Sequence, residues 1–324
     1  MHHTTSPPYR TSSPHRFSTP PFSLRAYAQL LRLPNVFTAL ADICLGWLGA
    51  LAAGMPVSRW PSFICLMGAS AALYSAGMVW NDFFDLEQDR RERPFRPLPS
   101  GRIARRNAAR LGVALLAAGI GFAALASPFQ ASAPWSALLL VVCLIAAILL
   151  YDAWLKRTWL GPVAMGTCRF LNILLGLSCA EATSLGWPAR IYLASVVGLY
   201  IVGVTWFART EARVSNQSQL RAAAGVMATA LVLALATPLW SIGGTSSVLF
   251  PYLLVGLGFL VGIPAAQAIA EPTPGHVQRT VKRAIVGLVV LDAALATALC
   301  GMLGLMILVL LLPLLYLGQW IYST

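Results

Sequence analysis

The chain has 324 residues, of which 58% are hydrophobic and only 10% charged, and its mean hydropathy is +0.71. A water-soluble helical protein needs polar outer helix faces, and stretches such as 137–150 and 305–317 have almost none, so the expected fold class is an all-α polytopic membrane protein. The net charge of +12 is accounted for by membrane topology and attraction to anionic lipid headgroups, with no need for a nucleic-acid partner.

Residues 1–26 are rich in Ser, Thr, Pro and Arg and lack acids. Their five prolines oppose an amphipathic targeting helix, which favours a disordered basic tail over an organellar transit peptide. Apolar runs then predict spans at 35–54, 61–84, 108–127, 134–151, 160–181, 189–209, 219–241, 249–270 and 283–300. A tenth run at 303–322 follows a break between Gly301 and Gly304, so 27–302 is expected to form one transmembrane domain and 303–324 a further apolar helix.

Laid down alternately, these spans place 20 of the 23 Lys and Arg on one side, including Arg90, Arg91, Arg93, Arg96, Arg102, Arg105, Arg106 and Arg110 after the second span. Arg59 and Arg190 fall on the other side, and Arg169 lies within a span. The positive-inside rule therefore puts the N-terminus and the acidic motif at the end of span 2 in the cytoplasm or an organelle's equivalent compartment, with the bacterial inner membrane as the expected location. The six cysteines all lie in apolar runs without a CxxC pair, which suits small core residues better than disulfides or zinc.

At the end of span 2 the sequence is Asn81-Asp82-Phe83-Phe84-Asp85-Leu86-Glu87-Gln88-Asp89. Charge so near hydrocarbon is costly and marks a functional site. On a helix, Asn81, Asp85 and Asp89 stay on one face with a drift of about 40° per step, and such a face can hold a hard cation. Residues 92–102 follow, a Pro/Gly turn with several arginines. Aspartates beside arginines are what magnesium and diphosphate require together: Mg²⁺ takes one or two carboxylates plus phosphate oxygens, and Arg offers forked donors to the rest. Most charge runs are solvated loops with internal salt bridges, but the i, i+4, i+8 spacing on a helix entering the membrane favours a site.

With NDFFDLEQD at 81–89, RPLPSGRI at 96–103, LRLPNVFTAL at 31–40 and Tyr151 followed by Lys156-Arg157, the chain resembles the UbiA family of intramembrane prenyltransferases over residues 27 to about 300. The segments at 161–176 and 203–213 are further similar to a divergent bacterial subgroup, the EboC-like proteins. The resemblance implies a bundle of nine transmembrane helices around a central cavity, and Mg²⁺-assisted transfer from a prenyl diphosphate donor to a lipophilic aromatic or alcohol acceptor among membrane lipids. It implies Asn81 and Asp85 as metal ligands, with Asp82 and Asp89 supporting or extending that set. Asp82, Asp85, Asp89 and Tyr151 are the catalytic candidates. Arg96, Lys156 and Arg157 would hold diphosphate oxygens, and Asn35, Arg169, Asn172, Arg209 and Glu211 complete the substrate-binding candidates.

Two further features bear on the site. Gly166, Arg169, Asn172, Ile173 and Gly176 form a stripe in span 5, expected to line the cavity or to pack against Asp42, Asp152 or Asp292, because a buried Arg needs a partner. The second acidic motif that the family carries after span 6 is reduced here to Glu211 within 205–217. Either Glu211 completes the site with Asn216 or Gln217, or Arg209 and Arg213 take the place of a second cation. A third alternative is a degenerate scaffold that binds or transports lipid or isoprenoid without catalysis.

Overall fold

The computed structural model describes residues 23–129, 136–180, 185–209, 216–240 and 247–321, and among these there is no strand. A short helix α1 (Leu24–Leu30), capped by the Ser23 hydroxyl accepting from Ala26 N, ends where Arg32 takes a left-handed φ of 46°. The apolar helices follow as α2 (Leu33–Ala52), α3 (Trp60–Phe84), α5 (Arg105–Ala126), α6 (Ser136–Ala153), α7 (Gly161–Leu177), α8 (Trp187–Ala208), α9 (Gln217–Ala234), α10 (Leu249–Ala270) and α11 (Pro274–Cys300), with the short α4 (Leu86–Glu92) between α3 and α5. Pro34, Pro61, Pro162, Pro188 and Pro274 stand in the first turn of their helices, where an absent N–H costs nothing and φ is already helical.

These helices coincide with the expected spans. Seven segments of the described residues are long and apolar enough to cross a membrane, which makes the chain an integral, multi-pass membrane protein; α7 is apolar but shorter, and α9 is not among the seven. Three features differ from expectation. Helix α9 ends at Ala234 rather than 241, before a 3₁₀ turn at Thr237–Trp240. Helix α11 begins at Pro274 rather than 283, so Arg279, Lys282 and Arg283 lie on its first turns. The tenth run is not one α-helix: Gly301 turns at φ 65°, a ten-residue 3₁₀ segment runs from Gly301 to Leu310, and α12 (Leu311–Trp320) follows. Gly304 lies so close to the backbone of Ala296 and Thr297 that a Cβ there has no room.

Packing divides the bundle into two parts. Helices α2, α3, α5 and α6 form one, α8 to α11 the other, and α7 joins them by contacting α2, α6 and α8, while α11 contacts both α2 and α8. In lipid no hydrophobic force draws helices together, so close approach through small residues matters. A Cβ on Gly46 of α2 would lie 2.6 Å from the backbone of Gly176 on α7, and one on Gly166 of α7 would lie 2.7 Å from Gly198 O on α8. The glycine stripe thus works as a packing surface on two sides of α7. The cations of the minority side also meet: Arg59 donates to Cys179 O and Arg190 to Ala180 O, at the end of the bundle opposite the acidic stretch. Of the cysteines, Cys179 is buried as expected, but Cys143 is exposed on the outer face of α6.

Candidate active site

The acidic stretch straddles a helix break. Helix α3 ends at Phe84 and Asp85 caps it, yet the bonds from Asp85 N to Asn81 O (3.0 Å) and from Asp89 N to Asp85 O (2.8 Å) carry the helical phase into α4. Asn81, Asp85 and Asp89 do not share one face as expected. Asn81 and Asp85 turn toward the end of α6, whereas Asp82 and Asp89 turn toward the N-terminal segment and the Pro-rich loop. Phase explains this correction. Two steps of i+4 accumulate about 80° between Asn81 and Asp89, while seven residues bring Asp82 and Asp89 to within about 20° of each other.

The first cluster faces α6. Asn81 Nδ2 donates to Asp152 Oδ1 at 2.9 Å, and Lys156 Nζ donates to Asp85 Oδ2 at 2.7 Å. Arg157 stands 3.7 Å from Asp85 Oδ1 and donates to Phe84 O. The 3₁₀ turn Leu155–Arg157 directly after α6 aims both cations back at the end of α3. Asp85 Oδ1 is buried with no hydrogen-bond partner. An orphaned carboxylate oxygen beside a carboxamide is a donor pair that fits Mg²⁺, a hard cation that takes few protein oxygens and fills its shell with water and phosphate.

The second cluster was not expected as a separate unit. Arg32 reaches Asp82 at 3.3 Å, and Arg96 reaches Asp82 at 3.4 Å and Asp89 at 2.8 Å, with both carboxylates and Arg96 buried. Arg96, expected beside Lys156 and Arg157, instead neutralises the other pair of aspartates. Burial, and next the charge of Arg32, draws the Arg96 guanidinium below its usual range, though an Arg remains protonated. Around these groups lies a cavity leaving about 760 Å³ free of atoms, open solvent at its mouth included, lined by Gln29, Arg32, Asp82, Phe95, Arg96 and Arg102 among others. Gln29, Arg32 and Arg102 were not named individually as site residues; their signal was that Arg32 and Arg102 lie within the LRLPN and RPLPSGR segments and Gln29 just before the first.

Deeper in the bundle a mostly apolar cavity lies between α2, α3, α6 and α7, with about 530 Å³ free of atoms. Leu73, Met78, Leu144 and Ile148 line it, and Tyr151 and Asp152 stand at the α6 end of its wall. Arg169 and Asn172 line it too, but they are also tied to α2. Arg169 donates to Asp42 Oδ2 (3.0 Å) and to Thr38 Oγ1 (2.8 Å), and Asn172 donates to Asp42 Oδ2 (2.8 Å). The stripe therefore does both things expected of it, and Asp42 is the partner. Asn35 is half-buried at the first turn of α2, its carbonyl accepting from Thr38.

The remaining candidates lie after α8. Arg209 is exposed at the C-cap of α8. Glu211 and Arg213 lie outside the described residues. Asn216 caps α9 by accepting from Ser218 N at 2.8 Å, so its oxygen is engaged in local structure, and Gln217 donates from Nε2 to Ala270 O. Asp152, which the sequence offered only as a partner for Arg169, instead accepts from Asn81.

Comparison with known proteins agrees with this architecture. Residues 43–281 match the model of the UbiA prenyltransferase family. A digeranylgeranylglyceryl phosphate synthase of Saccharolobus solfataricus is 33% identical over 186 residues, 55% of this chain and 60% of that protein, so the match spans under two thirds of the relative's length. Among solved structures, one of digeranylgeranylglyceryl phosphate synthase in membranes superposes with a TM-score of 0.60 at 20% identity, over 86% of this chain and 99% of that one. A UbiA homolog from Archaeoglobus fulgidus, solved with DMAPP and Mg²⁺, superposes with a TM-score of 0.55 at 15% identity, over 81% and 99%. A family match over most of the transmembrane bundle, together with the expected motifs gathered at one end of an apolar cavity, makes the chain a member of the UbiA prenyltransferase family.

Proposed function

We propose that this protein transfers a polyprenyl group from a prenyl diphosphate to a lipophilic aromatic or alcohol acceptor within the membrane. The observation that carries the reading is the cluster of Asn81, Asp85, Asp152 and Lys156 at the α6 end of an apolar cavity. A diphosphate head belongs at the polar end and a prenyl chain in the apolar part. The relative from Saccharolobus solfataricus is a synthase of a prenylated glyceryl phosphate, and the Archaeoglobus fulgidus homolog was solved with a prenyl diphosphate and Mg²⁺, which supports the same donor class here.

In this reading Asn81 and Asp85 hold Mg²⁺, with Asp82 and Asp89 organising the arginines behind them. When bound, the ion supplies charge that stabilises the departing diphosphate. Lys156 and Arg157 bind the diphosphate oxygens from the α6 side, and Arg32 and Arg96 hold the opposite wall of the pocket by fixing Asp82. Tyr151 faces the reacting carbon with its ring, whose negative face favours developing positive charge. Leu144, Ile148 and Met78 exclude water that would otherwise capture the electrophile before the acceptor arrives. Residues 27–302 form the catalytic unit and 303–324 an added C-terminal segment. The N-terminus and the acidic stretch face the cytoplasm, where the Arg-rich loop places them.

Purified protein in detergent, given a radiolabelled prenyl diphosphate and a lipid extract as acceptor source, tests this. Diphosphate release that requires both Mg²⁺ and the extract, and that Asp85→Asn reduces at least a hundredfold, is the expected result. Release unaffected by Asp85→Asn removes the site assignment, and no release under any condition favours a binding or transport role.

A further inference from the structure

The Asn81 side chain presents a problem that its neighbours solve. A carboxylate ligand offers an oxygen whichever way it turns, but a carboxamide has an oxygen on one side and an NH₂ on the other, and only the oxygen binds a cation. Asn81 therefore needs something to fix its amide. Asp152 lies opposite, on α6, with its carboxylate 98% shielded from solvent and its Oδ1 2.9 Å from Asn81 Nδ2. In this contact the Asn81 NH₂ is the donor and Asp152 Oδ1 the acceptor, which turns NH₂ toward α6 and the carbonyl oxygen to the opposite side of the amide. Asp152 is itself held in place by α6, whose packing against α3 sets the separation.

We propose that Asp152 is a positioning residue that selects the metal-binding orientation of Asn81. The proposal rests on the reading of Asn81 and Asp85 as cation ligands. It also gives a reason for an acidic residue directly after Tyr151, in a mostly apolar cavity wall where an ionisable group is costly. The charge of Lys156, already committed to Asp85 at 2.7 Å, keeps the surroundings of the two carboxylates from becoming strongly negative.

Mn²⁺ binding to the detergent-solubilised full chain, followed by electron paramagnetic resonance without substrate, provides a readout independent of turnover. Asp152→Leu, similar in branched shape but unable to accept, should weaken Mn²⁺ binding about tenfold, whereas Asp152→Asn, whose carbonyl can still accept from Asn81, should stay within about threefold of wild type. In an Asn81→Asp background, where either oxygen of residue 81 can bind, Asp152→Leu should leave the affinity unchanged or raise it by removing a like charge. An equal loss in both backgrounds means that Asp152 acts by its own charge or ligation and overturns the proposal, as does an Asp152→Leu variant that binds like wild type. Asp85→Asn serves as the control: if it binds Mn²⁺ like wild type, or if wild type binds none, the ligand reading itself fails, independently of Asp152. Size-exclusion profiles of the variants separate a loss of affinity from a loss of fold.

Discussion

Lys156 and Asp85, 71 residues apart in the chain, form an ion pair of 2.7 Å, with the lysine side chain 11% exposed and the aspartate 17%. The pair joins the end of α6 to the end of α3 and sets one wall of the site. A shielded pair of this kind holds its charges in register before substrate arrives, and the ammonium then remains within reach of an incoming phosphate.

Substituting Lys156→Met should therefore act mainly on donor binding. The KM for prenyl diphosphate is expected to rise about tenfold, the equivalent of about 1.4 kcal/mol of lost charge-assisted hydrogen bonding. Steady-state kinetics at saturating Mg²⁺ measures it, and an unchanged KM would place the diphosphate elsewhere.

Asp42 and Arg169 provide a stability test away from the chemistry. Asp42→Leu leaves a buried guanidinium without its carboxylate, which should destabilise the protein by about 3 kcal/mol or more. The double variant Asp42→Leu with Arg169→Met removes both charges and should recover much of that loss. Thermal unfolding in detergent reads both, and additive losses in the double variant would mean that the pair is not coupled.

Helix contact at Gly46 is expected to be as demanding as any ion pair. The Cβ of Gly46→Ala would stand 2.6 Å from the Gly176 backbone, so α2 and α7 must separate, carrying Asp42 away from Arg169 and Asn172. We expect a Tm lower by several degrees and reduced transfer activity. Gly121→Ala, with open space around its Cβ, is the matched control and should be neutral.

Asn216→Ala distinguishes a capping role from a metal-ligand role. Loss of the bond to Ser218 N should cost about 1 kcal/mol of stability, with the Mg²⁺ concentration for half-maximal activity unchanged. A shift in that concentration would return Asn216 to the metal site.

The sequence by itself determined the membrane character, the approximate helix positions and the motif proposed to carry the chemistry. Each rests on local physics: run length against bilayer thickness, the asymmetry of Lys and Arg, and the cost of aspartates beside hydrocarbon. What it could not determine was which polar group meets which. The assignment of Asn81, Asp85 and Asp89 to one face came from helix phase alone, and phase drift together with the break at Asp85 moved Asp89 into the Arg96 cluster. Arg169 and Asp42 lie 127 residues apart, and only the glycine contact between α2 and α7 brings them together. Asp152 is the sharpest case. Nothing within α6 marks it as part of the site, because its function depends on an amide 71 residues earlier in the chain, on a helix that packs against its own.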